Sequence, residues 1–440
     1  MMRKSESKQK LLAKQTSSIS GVISVPGDKS ISHRAIILSM ITQGTTRISN
    51  ILDSNDTNKS LSAAINLGIE CKKTDGFVEI KGKGLHGLKT PDQELYFGNS
   101  GTSMRLFMGV LCAQKFTSRL TGDSSLSSRP MERVASPLRK MGATILMESD
   151  YPPIQIHPSE QIIGLKHKLT VPSAQVKSAI LLASLYANSE TVLNPHWITR
   201  NHTELMLESL GCKITHNENE IIIKNGELTS NDILEIPGDF SSASFLILAT
   251  LIAKDSQITI KDVGLNPTRT GFLKILQMMG ANITTRIDVG KNLEIQGCIK
   301  VRSSKLYGIN VPEKLVSLSI DELPLVFLAA ACAKGTTTIK NATELRFKES
   351  DRIRAMSKLL SKLSIKVKEL EDGLIINGGF LTGGEIDSFG DHRIAMTAVI
   401  ASACASEDIL INDTENINTS FPSFVQIMNQ LGMDIIDPDC

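Results

Sequence analysis

The sequence predicts a mixed α/β fold, in which repeated units of strands and helices form two lobes. Three observations lead to this prediction. The chain has 440 residues, which is too many for one hydrophobic core. Apolar residues make up 41% of the chain and charged residues 21%, as in ordinary globular proteins. A glycine that separates a helical pattern from an alternating strand pattern recurs about every 70 residues.

The recurring glycine follows a leucine or methionine at the end of each helical pattern. Glycine takes the left-handed backbone conformation beyond a helix without a Cβ clash, so the chain can reverse into a strand. Hairpin patterns follow, for example on either side of residues 217–219 and of Asp75-Gly76. The positions are Gly68, Gly142, Gly211, Gly280 and Gly432, with Ser364 in the glycine's place between the last two. Six units predict three per lobe, with a break near Pro237.

The composition excludes several classes of protein. The formal net charge is +2, from 48 basic and 46 acidic residues, so no overall field would attract nucleic acid or a membrane surface. The 7 cysteines are scattered, which predicts a reducing cytoplasm with neither a disulfide framework nor a metal site. No apolar stretch approaches the length of a membrane-spanning helix. Residues 1–20 are polar and basic, which predicts a flexible tail and not a signal peptide.

The first candidate anion site lies at residues 25–34, where a glycine turn leads into a helix that starts near Ser30. Lys29 would lie at the helix N-terminus, where backbone N–H groups and the helix dipole favour an anion. Arg34 would lie one turn further on the same face. The glycine spacing is not that of a P-loop. A capped surface helix explains these residues equally well.

Two further segments place small residues and cations at helix starts. Residues 98–105 bring Asn99 and Gly101 to the start of an apolar helix, which suits phosphate or carboxylate. Arg129 precedes a proline suited to the first helical position, and its guanidinium could bind a carboxylate bidentately. An ordinary loop-to-helix junction and a solvated arginine are the alternative interpretations.

The segment 171–179 places Ser173 and Gln175 at the start of a strongly apolar helix, with Lys177 on its solvated face. Arg200 lies just before another helix. His202, close by, is expected to be a structural partner and not a ligand.

The second half of the chain contributes acidic and basic residues together. Asp321 precedes an apolar helix and could simply cap it. Lys348, Glu349 and Arg352 would lie within one helical turn, where like charges four residues apart repel unless an anion lies between them. Arg393 starts a further apolar helix. Cations at several helix starts in a near-neutral chain predict that two lobes clamp a small polyanion.

Taken together, these segments resemble those of a known family, the enolpyruvyl transferases, and within it the synthases that make 5-enolpyruvylshikimate 3-phosphate. The likeness extends from residue 26 to about 424. The SLSSRPM and SAQVKSA forms are similar to the second class of these synthases. The matching segments are PGDKSISHRA, FGNSGTSMRL, SLSSRPM, PSAQVKSAILLA, TRNHTE, GDFSSASF, KESDRI and GDHRIAM.

The resemblance implies a two-lobed enolpyruvyl transferase fold, an inside-out α/β barrel. Six βαβαββ-type units would form two lobes, each of three units around buried parallel helices. The first lobe would be residues 24–237, and residues 1–23 would join 238–440 in the second. The active site would lie in the cleft between the lobes, which would close on the substrates.

The resemblance also implies the roles of individual residues. Asp321 and Glu349 would be the acid/base pair, assisted by Lys29 and Lys348. Shikimate 3-phosphate would be bound by Lys29, Ser30, Arg34, Ser173, Ala174, Gln175, Arg200, Asp321 and Lys348. Phosphoenolpyruvate would be bound by Lys29, Asn99, Gly101, Arg129, Gln175, Lys348, Arg352 and Arg393. A cofactor-free, metal-free monomer is expected, with glyphosate as an inhibitor.

Two departures from the family pattern bear on these roles. The first class of these synthases has a lysine before a Phe-Pro pair near the C-terminus, whereas this chain has Asn418, Thr419 and Ser420 before Phe421. One phosphate contact is therefore absent or supplied by other residues. Gly101 stands where glyphosate-tolerant members of the second class have alanine. The missing methyl group predicts a glyphosate-sensitive enzyme.

Three alternatives remain open on sequence. A UDP-N-acetylglucosamine enolpyruvyl transferase would share the fold, but that family typically has a cysteine in the loop near Arg129, and residues 122–130 contain none. A non-catalytic binding protein on this fold is disfavoured because both Asp321 and Glu349 are present. An RNA 3′-phosphate cyclase would need a nucleophilic histidine and bound ATP, and no P-loop supports one.

Overall fold

A computed structural model describes residues 9–74, 76–169, 171–217, 219–230, 232–288 and 294–438. The helices of these residues are α1 (Lys29–Ile41), α2 (Asn55–Asn66), α3 (Gly101–Leu111), α4 (Ser124–Ser127), α5 (Glu132–Lys140), α6 (Ala174–Ser184), α7 (His202–Ser209), α8 (Phe240–Ile252), α9 (Gly271–Met278), α10 (Glu313–Ser317), α11 (Leu323–Ala331), α12 (Arg352–Lys362), α13 (His392–Ala401) and α14 (Phe424–Gln430). Two 3₁₀ turns, Thr343–Phe347 and Glu415–Thr419, complete the helical segments of this part of the chain.

The strands of the described ranges are β1 (Lys10–Ala13), β2 (Ser20–Ser24), β3 (Gln43–Ser49), β4 (Glu70–Thr74), β5 (Phe77–Lys83), β6 (Leu95–Tyr96), β7 (Ser118–Thr121), β8 (Thr144–Glu148), β9 (Tyr151–His157), β10 (Lys166–Lys168), β11 (Thr191–Asn194), β12 (Ile214–Asn217), β13 (Glu220–Ile223), β14 (Ile233–Glu235), β15 (Gln257–Gly264), β16 (Asn282–Asp288), β17 (Gln296–Arg302), β18 (Thr336–Ile339), β19 (Lys366–Leu370), β20 (Gly373–Asn377), β21 (Gly384–Asp387), β22 (Ile409–Asn412) and β23 (Ile435–Ile436).

The chain divides into two compact units. The N-terminal unit contains the described residues of 27–237 together with Glu294. The C-terminal unit contains residues 9–26, 238–288 and 295–438.

Among the described residues, each unit holds three sheets. In the N-terminal unit their strand orders are β14-β3-β5-β4, β6-β7-β9-β8 and β10-β11-β13-β12. In the C-terminal unit the orders are β16-β17-β15-β2, β18-β20-β19 and β21-β22-β1-β23. The six sheets match the six repeated units that the sequence predicts.

The glycine pattern is confirmed at each repeat. The helix-ending glycines have positive φ, for example 86° at Gly68 and 91° at Gly211. Ser364, which takes the glycine's place in one unit, also has a positive φ of 68°. The predicted hairpins form as β4 with β5 and β12 with β13, both antiparallel. The predicted turn residues Asp75 and Glu218 lie outside the described residues.

The prediction of a flexible tail over residues 1–20 is wrong for residues 9–20. Strand β1 pairs antiparallel with both β22 and β23, and Ile19 is fully buried. Alternating apolar residues such as Leu11 and Ala13 face the core. The prediction was based on the overall polar composition of the segment and did not take this alternation into account. The first eight residues of the predicted tail lie outside the described residues.

Buried helices form the centre of each unit. In the N-terminal unit α3 packs against α1 and α6, and in the C-terminal unit α8, α11 and α13 contact one another. Nearly every residue of these helices is buried, so each is apolar around most of its circumference. Their N-terminal ends carry the polar residues that the sequence analysis singled out. No helix among the described residues is long and apolar enough to cross a membrane.

Candidate active site

Three helix N-termini of the N-terminal unit carry candidate residues. Asp28 caps α1 by accepting a hydrogen bond from the Ile31 amide, and Ser100 caps α3 through the Ser103 amide. Ser173 caps α6 through the Val176 amide, as its position predicts. These caps stabilise helix starts at Lys29, Gly101 and Ala174.

Arg34 is held rigidly on α1. Its Nε donates to Thr203 Oγ1 at 2.7 Å, its Nη2 to Ser178 Oγ at 2.9 Å, and its Nη1 to the Ser30 carbonyl at 2.8 Å. Arg200 Nη1 donates to Ser30 Oγ at 3.4 Å. Burial, and then the nearby positive charge of Arg200, lower the pKa of Arg34 to about 10. Two neighbouring guanidiniums, one of them buried, favour the binding of an anionic ligand.

A second cluster surrounds the start of α3. Arg129 donates to the Asn99 side chain, to the Asn99 carbonyl at 3.3 Å and to Ser125 Oγ at 3.1 Å. Arg105 Nη1 donates to Gln175 Oε1 at 2.7 Å, and Gln175 Nε2 donates to Thr102 Oγ1 at 2.9 Å.

Arg105 was not predicted as a site residue, although FGNSGTSMRL contains it, because its partner Gln175 lies 70 residues further along the chain. Gly101 lies between the two guanidiniums. A Cβ added there would lie 3.0 Å from Arg105 Nη1 and 3.4 Å from Arg129 Nη1.

Several predictions about this unit need correction. Pro130 does not start a helix, because α5 begins at Glu132 with Met131 at its N-cap. Lys177 is not on a solvated face. Its side chain is 3% exposed and its Nζ lies 2.6 Å from Glu204 Oε1. The apolar pattern of α6 does not by itself predict that a second helix, α7, places a carboxylate beside the Lys177 ammonium group.

Lys29 and His202 also have carboxylate partners. Lys29 Nζ lies 2.5 Å from Asp56 Oδ2 on α2. His202 Nδ1 lies 2.6 Å from Glu294 Oε1, in keeping with the structural role predicted for this histidine. Asp56 and Glu294 carried no motif signal in the sequence.

In the C-terminal unit, Asp321 lies at the start of α11 beside two cations. Lys348 Nζ is 3.3 Å from Asp321 Oδ1, and Arg352 Nη1 is 3.7 Å from the same oxygen. Arg352 Nη2 donates to Glu349 Oε2 at 2.6 Å. One buried arginine therefore bridges the two predicted acid/base carboxylates.

The Arg352 side chain is held in place by Asp391, the N-cap of α13. The Arg352 Nε donates to Asp391 Oδ2 at 2.8 Å, and the two side chains are 1% and 0% exposed. Burial opposes ionisation of Asp391, but the charge of Arg352 outweighs it and lowers the pKa of Asp391 below its usual value. The pKa of Arg352 is raised, since its carboxylate neighbours outweigh the effect of burial.

Arg393 lies at the start of α13, as predicted. Its Nη1 donates to the Asp321 carbonyl at 2.7 Å and its Nη2 to Ser241 Oγ at 3.2 Å. Ser241 in turn donates to Glu322 and accepts from Arg269 Nη2 at 2.8 Å. Neither Glu322 nor Arg269 was predicted from the sequence as a site residue.

Two predictions about this unit are wrong. Lys348 and Arg352 do not share a helical face. Lys348 lies beyond the 3₁₀ turn with an extended backbone, and α12 begins only at Arg352. The two cations approach each other through Asp321, a long-range partner, and not through helical spacing. Asp321 does not cap α11, because the N-cap is Glu322.

The chain matches the family model of EPSP synthase (3-phosphoshikimate 1-carboxyvinyltransferase) over residues 13–428. The chain belongs to the EPSP synthase family. The resemblance to this family that the sequence motifs indicate is thereby confirmed.

Curated members of the EPSP synthase family are similar over nearly their whole length. A 3-phosphoshikimate 1-carboxyvinyltransferase of Ruthia magnifica subsp. Calyptogena magnifica is 47% identical over 428 residues, covering 97% of this chain and 98% of the relative. The protein of that name from Legionella pneumophila (strain Lens) is 45% identical over 426 residues, covering 96% of this chain and 98% of the relative.

Solved structures agree with the fold. The EPSP synthase of Acinetobacter baumannii has a TM-score of 0.86 and 42% identity, covering 97% of this chain and 100% of that one. The enolpyruvyl transferase NikO of Streptomyces tendae has a TM-score of 0.77 at 16% identity, covering 98% of this chain and 99% of that one, and shows only a shared fold. The predicted fold class is therefore confirmed.

Proposed function

We propose that this chain is a 3-phosphoshikimate 1-carboxyvinyltransferase. It transfers the enolpyruvyl group of phosphoenolpyruvate to the 5-hydroxyl of shikimate 3-phosphate and releases phosphate, a step of the shikimate pathway toward chorismate and aromatic amino acids. One observation supports this proposal most directly. Asp321 and Glu349 both contact Arg352. Two carboxylates and a buried cation therefore lie together in this member of the EPSP synthase family.

The proposed reaction is an addition followed by an elimination. Asp321 takes the proton of the 5-hydroxyl, and Glu349 protonates the methylene carbon of phosphoenolpyruvate. The hydroxyl oxygen adds to the resulting cationic carbon and gives a tetrahedral ketal phosphate. Loss of a methyl proton and departure of phosphate then complete the transfer. The charge of Arg352 opposes a proton on Glu349, and the anionic substrate offsets that charge.

The cations of the two units fit the charges of the two substrates. Phosphoenolpyruvate carries a phosphate and a carboxylate on a small frame, which suits Lys348, Arg352 and Arg393 together with Lys29 and Arg129. The paired guanidiniums of Arg34 and Arg200 suit the phosphate of shikimate 3-phosphate. We propose that both sets of residues act in one reaction, since only the C-terminal unit contributes the acid/base carboxylates.

The remaining substrate contacts are proposed in the same way. Ser30, Ser173, Ala174 and Gln175 would contact shikimate 3-phosphate, and Asn99, Gly101 and Gln175 would contact phosphoenolpyruvate. Glyphosate is proposed as an inhibitor that competes for the phosphoenolpyruvate site. The monomeric state and the cytoplasmic location stay predictions.

Phosphate release from phosphoenolpyruvate tests the proposal directly. We expect release with shikimate 3-phosphate as acceptor, and none with UDP-N-acetylglucosamine. Asp321→Asn should lower kcat by about 10²–10⁴-fold, because it removes the base. Asp92→Asn, which changes an exposed aspartate, is the matched control. Release with the nucleotide sugar, or full activity of the Asp321 variant, would contradict the proposal.

A further inference from the structure

A cavity of about 1030 Å³ opens at the C-terminal ends of the buried helices of the C-terminal unit. Ile252 ends α8, Cys332 follows α11, and residues 403–406 follow α13, and all of them line it. The opposite, N-terminal ends of the same helices carry Ser241, Asp321 and Arg393. The cavity is thus separated from the proposed catalytic residues by the length of the core helices.

Two cysteine thiols face each other in the cavity wall. Cys332 Sγ and Cys404 Sγ lie 3.4 Å apart, and both residues are partly exposed. Cys332 is the C-cap of α11, and Cys404 lies three residues beyond α13, where its thiol also donates to the Ala401 carbonyl at 3.6 Å. Neither cysteine lies inside a helix, so each thiol projects from a helix end.

We propose that Cys332 and Cys404 are a redox-active pair that forms a reversible disulfide when a peroxide enters the cavity. A disulfide needs an S–S distance of about 2.05 Å. The two sulfurs must therefore approach by little more than 1 Å from their 3.4 Å separation. This proposal does not depend on the catalytic function.

The chemistry balances with hydrogen peroxide as the oxidant. The Cys404 thiolate attacks one peroxide oxygen, which gives a sulfenic acid and releases water once a proton is taken up. The Cys332 sulfur then attacks the sulfenic sulfur, the S–S bond forms, and a second water leaves. Two thiols and one peroxide thus become one disulfide and two waters, and an added dithiol reduces the disulfide back to two thiols while it is itself oxidised.

The surroundings assign the order of attack. The hydrogen bond to Cys404, followed by burial, raises the pKa of Cys332, so Cys332 keeps its proton and donates toward Cys404. Lys254, Lys305 and Lys334 also line the cavity, and no carboxylate does so among the described residues. The charged side chains that line the cavity in this part of the chain are thus all cationic.

The bridge would tie together the ends of two helices that are far apart in sequence. It would close the loop from residue 332 to 404 and so restrict the unfolded chain. We expect the melting temperature of the oxidised protein to rise by roughly 5 °C. In the reduced protein the two thiols are not bonded, so the ends of the two helices are not covalently linked.

The test uses the full-length protein treated with hydrogen peroxide and then alkylated. Before alkylation we expect a loss of two hydrogen atoms in the intact mass. After alkylation we expect one cross-linked peptide pair containing Cys332 and Cys404, which dithiothreitol cleaves. Cys332→Ser and Cys404→Ser should each abolish the cross-link. Cys298→Ser is the matched control, since Cys298 is a partly exposed thiol of the same unit on β17.

Three results would overturn the proposal. The first is a cross-link that persists in both the Cys332→Ser and the Cys404→Ser proteins, since another pair would then form it. The second is oxygen addition to Cys404 with no disulfide. The third is a cross-link that appears only when the protein is unfolded, as followed by circular dichroism on the same samples.

Discussion

Arg34 Nε donates to Thr203 Oγ1 at 2.7 Å, and the same hydroxyl lies 2.7 Å from Ser178 Oγ. This links the guanidinium on α1 to α6 and α7. Thr203 is buried, so its hydroxyl fixes the direction of the Arg34 side chain without contacting solvent. We regard Thr203 as a positioning residue for the proposed phosphate-binding guanidinium.

Replacing Thr203 by valine should weaken the binding of shikimate 3-phosphate. Valine keeps the shape but leaves the Arg34 N–H without its acceptor, which costs about 1–3 kcal/mol. We expect KM for shikimate 3-phosphate to rise about tenfold with a smaller change in kcat. Thr203→Ser keeps the hydroxyl and should behave as the parent does. An equal rise of KM for phosphoenolpyruvate would argue for a general structural defect instead.

Glyphosate should inhibit the parent enzyme with an inhibition constant no higher than KM for phosphoenolpyruvate. Gly101→Ala should raise that constant by about tenfold or more, because overpacking of this size costs about 1–3 kcal/mol. The added methyl group would lie 3.0 Å from Arg105 Nη1, so that guanidinium must shift. Gly226→Ala is the control, since no atom lies within 4 Å of the added Cβ. Steady-state inhibition kinetics give both constants, and an insensitive parent enzyme would refute the prediction.

Lys177→Met should destabilise the N-terminal unit although methionine keeps most of the apolar length of the lysine side chain. The substitution leaves Glu204 as a carboxylate that is 1% exposed and has lost its cation. We expect the free energy of unfolding to fall by about 3–5 kcal/mol. The double variant Lys177→Met with Glu204→Leu should recover most of this loss, because the carboxylate that had lost Lys177 is then no longer buried. Urea unfolding measures all three proteins, and a double variant as unstable as the single one would be the contrary result.

The stability of the protein should fall as the pH drops below about 6.5, in part because of His33. Burial, followed by the positive charges of Lys29 and Arg34, lowers the pKa of His33 well below its usual value, although Asp28 opposes this. The folded protein keeps this imidazole neutral where the unfolded chain protonates it, so acid favours unfolding.

Replacing His33 by glutamine tests this pH dependence. Ser60 and Ser103 contact His33 Nδ1 at 2.8 and 3.1 Å, and an amide can keep such hydrogen bonds. Below pH 6.5 the slope of unfolding free energy against pH should decrease by up to about 1.4 kcal/mol per pH unit. His196→Gln, at an exposed position, serves as control. Denaturant unfolding from pH 7 to pH 5 measures the slope, and an unchanged slope in the His33 variant would contradict the prediction.

Local sequence determined the features that depend on neighbours along the chain. Helix caps at Ser100 and Ser173, the positive φ of Gly68 and Ser364, and the positions of Arg200 and Arg393 before or at helix starts follow from short patterns. The reason is that caps and turns are satisfied by backbone groups within a few residues. Repetition of these patterns was enough to predict six units and the fold class.

Tertiary structure alone decided which polar side chains meet. Lys348 and Arg352 share Asp321, Lys177 is buried against Glu204, and Cys332 lies beside Cys404. The partners in these contacts come from different elements, so no periodicity along the chain predicts them. Burial makes these contacts important for stability, because a charge removed from water costs free energy unless the packed structure places an opposite charge or a hydrogen-bond partner beside it.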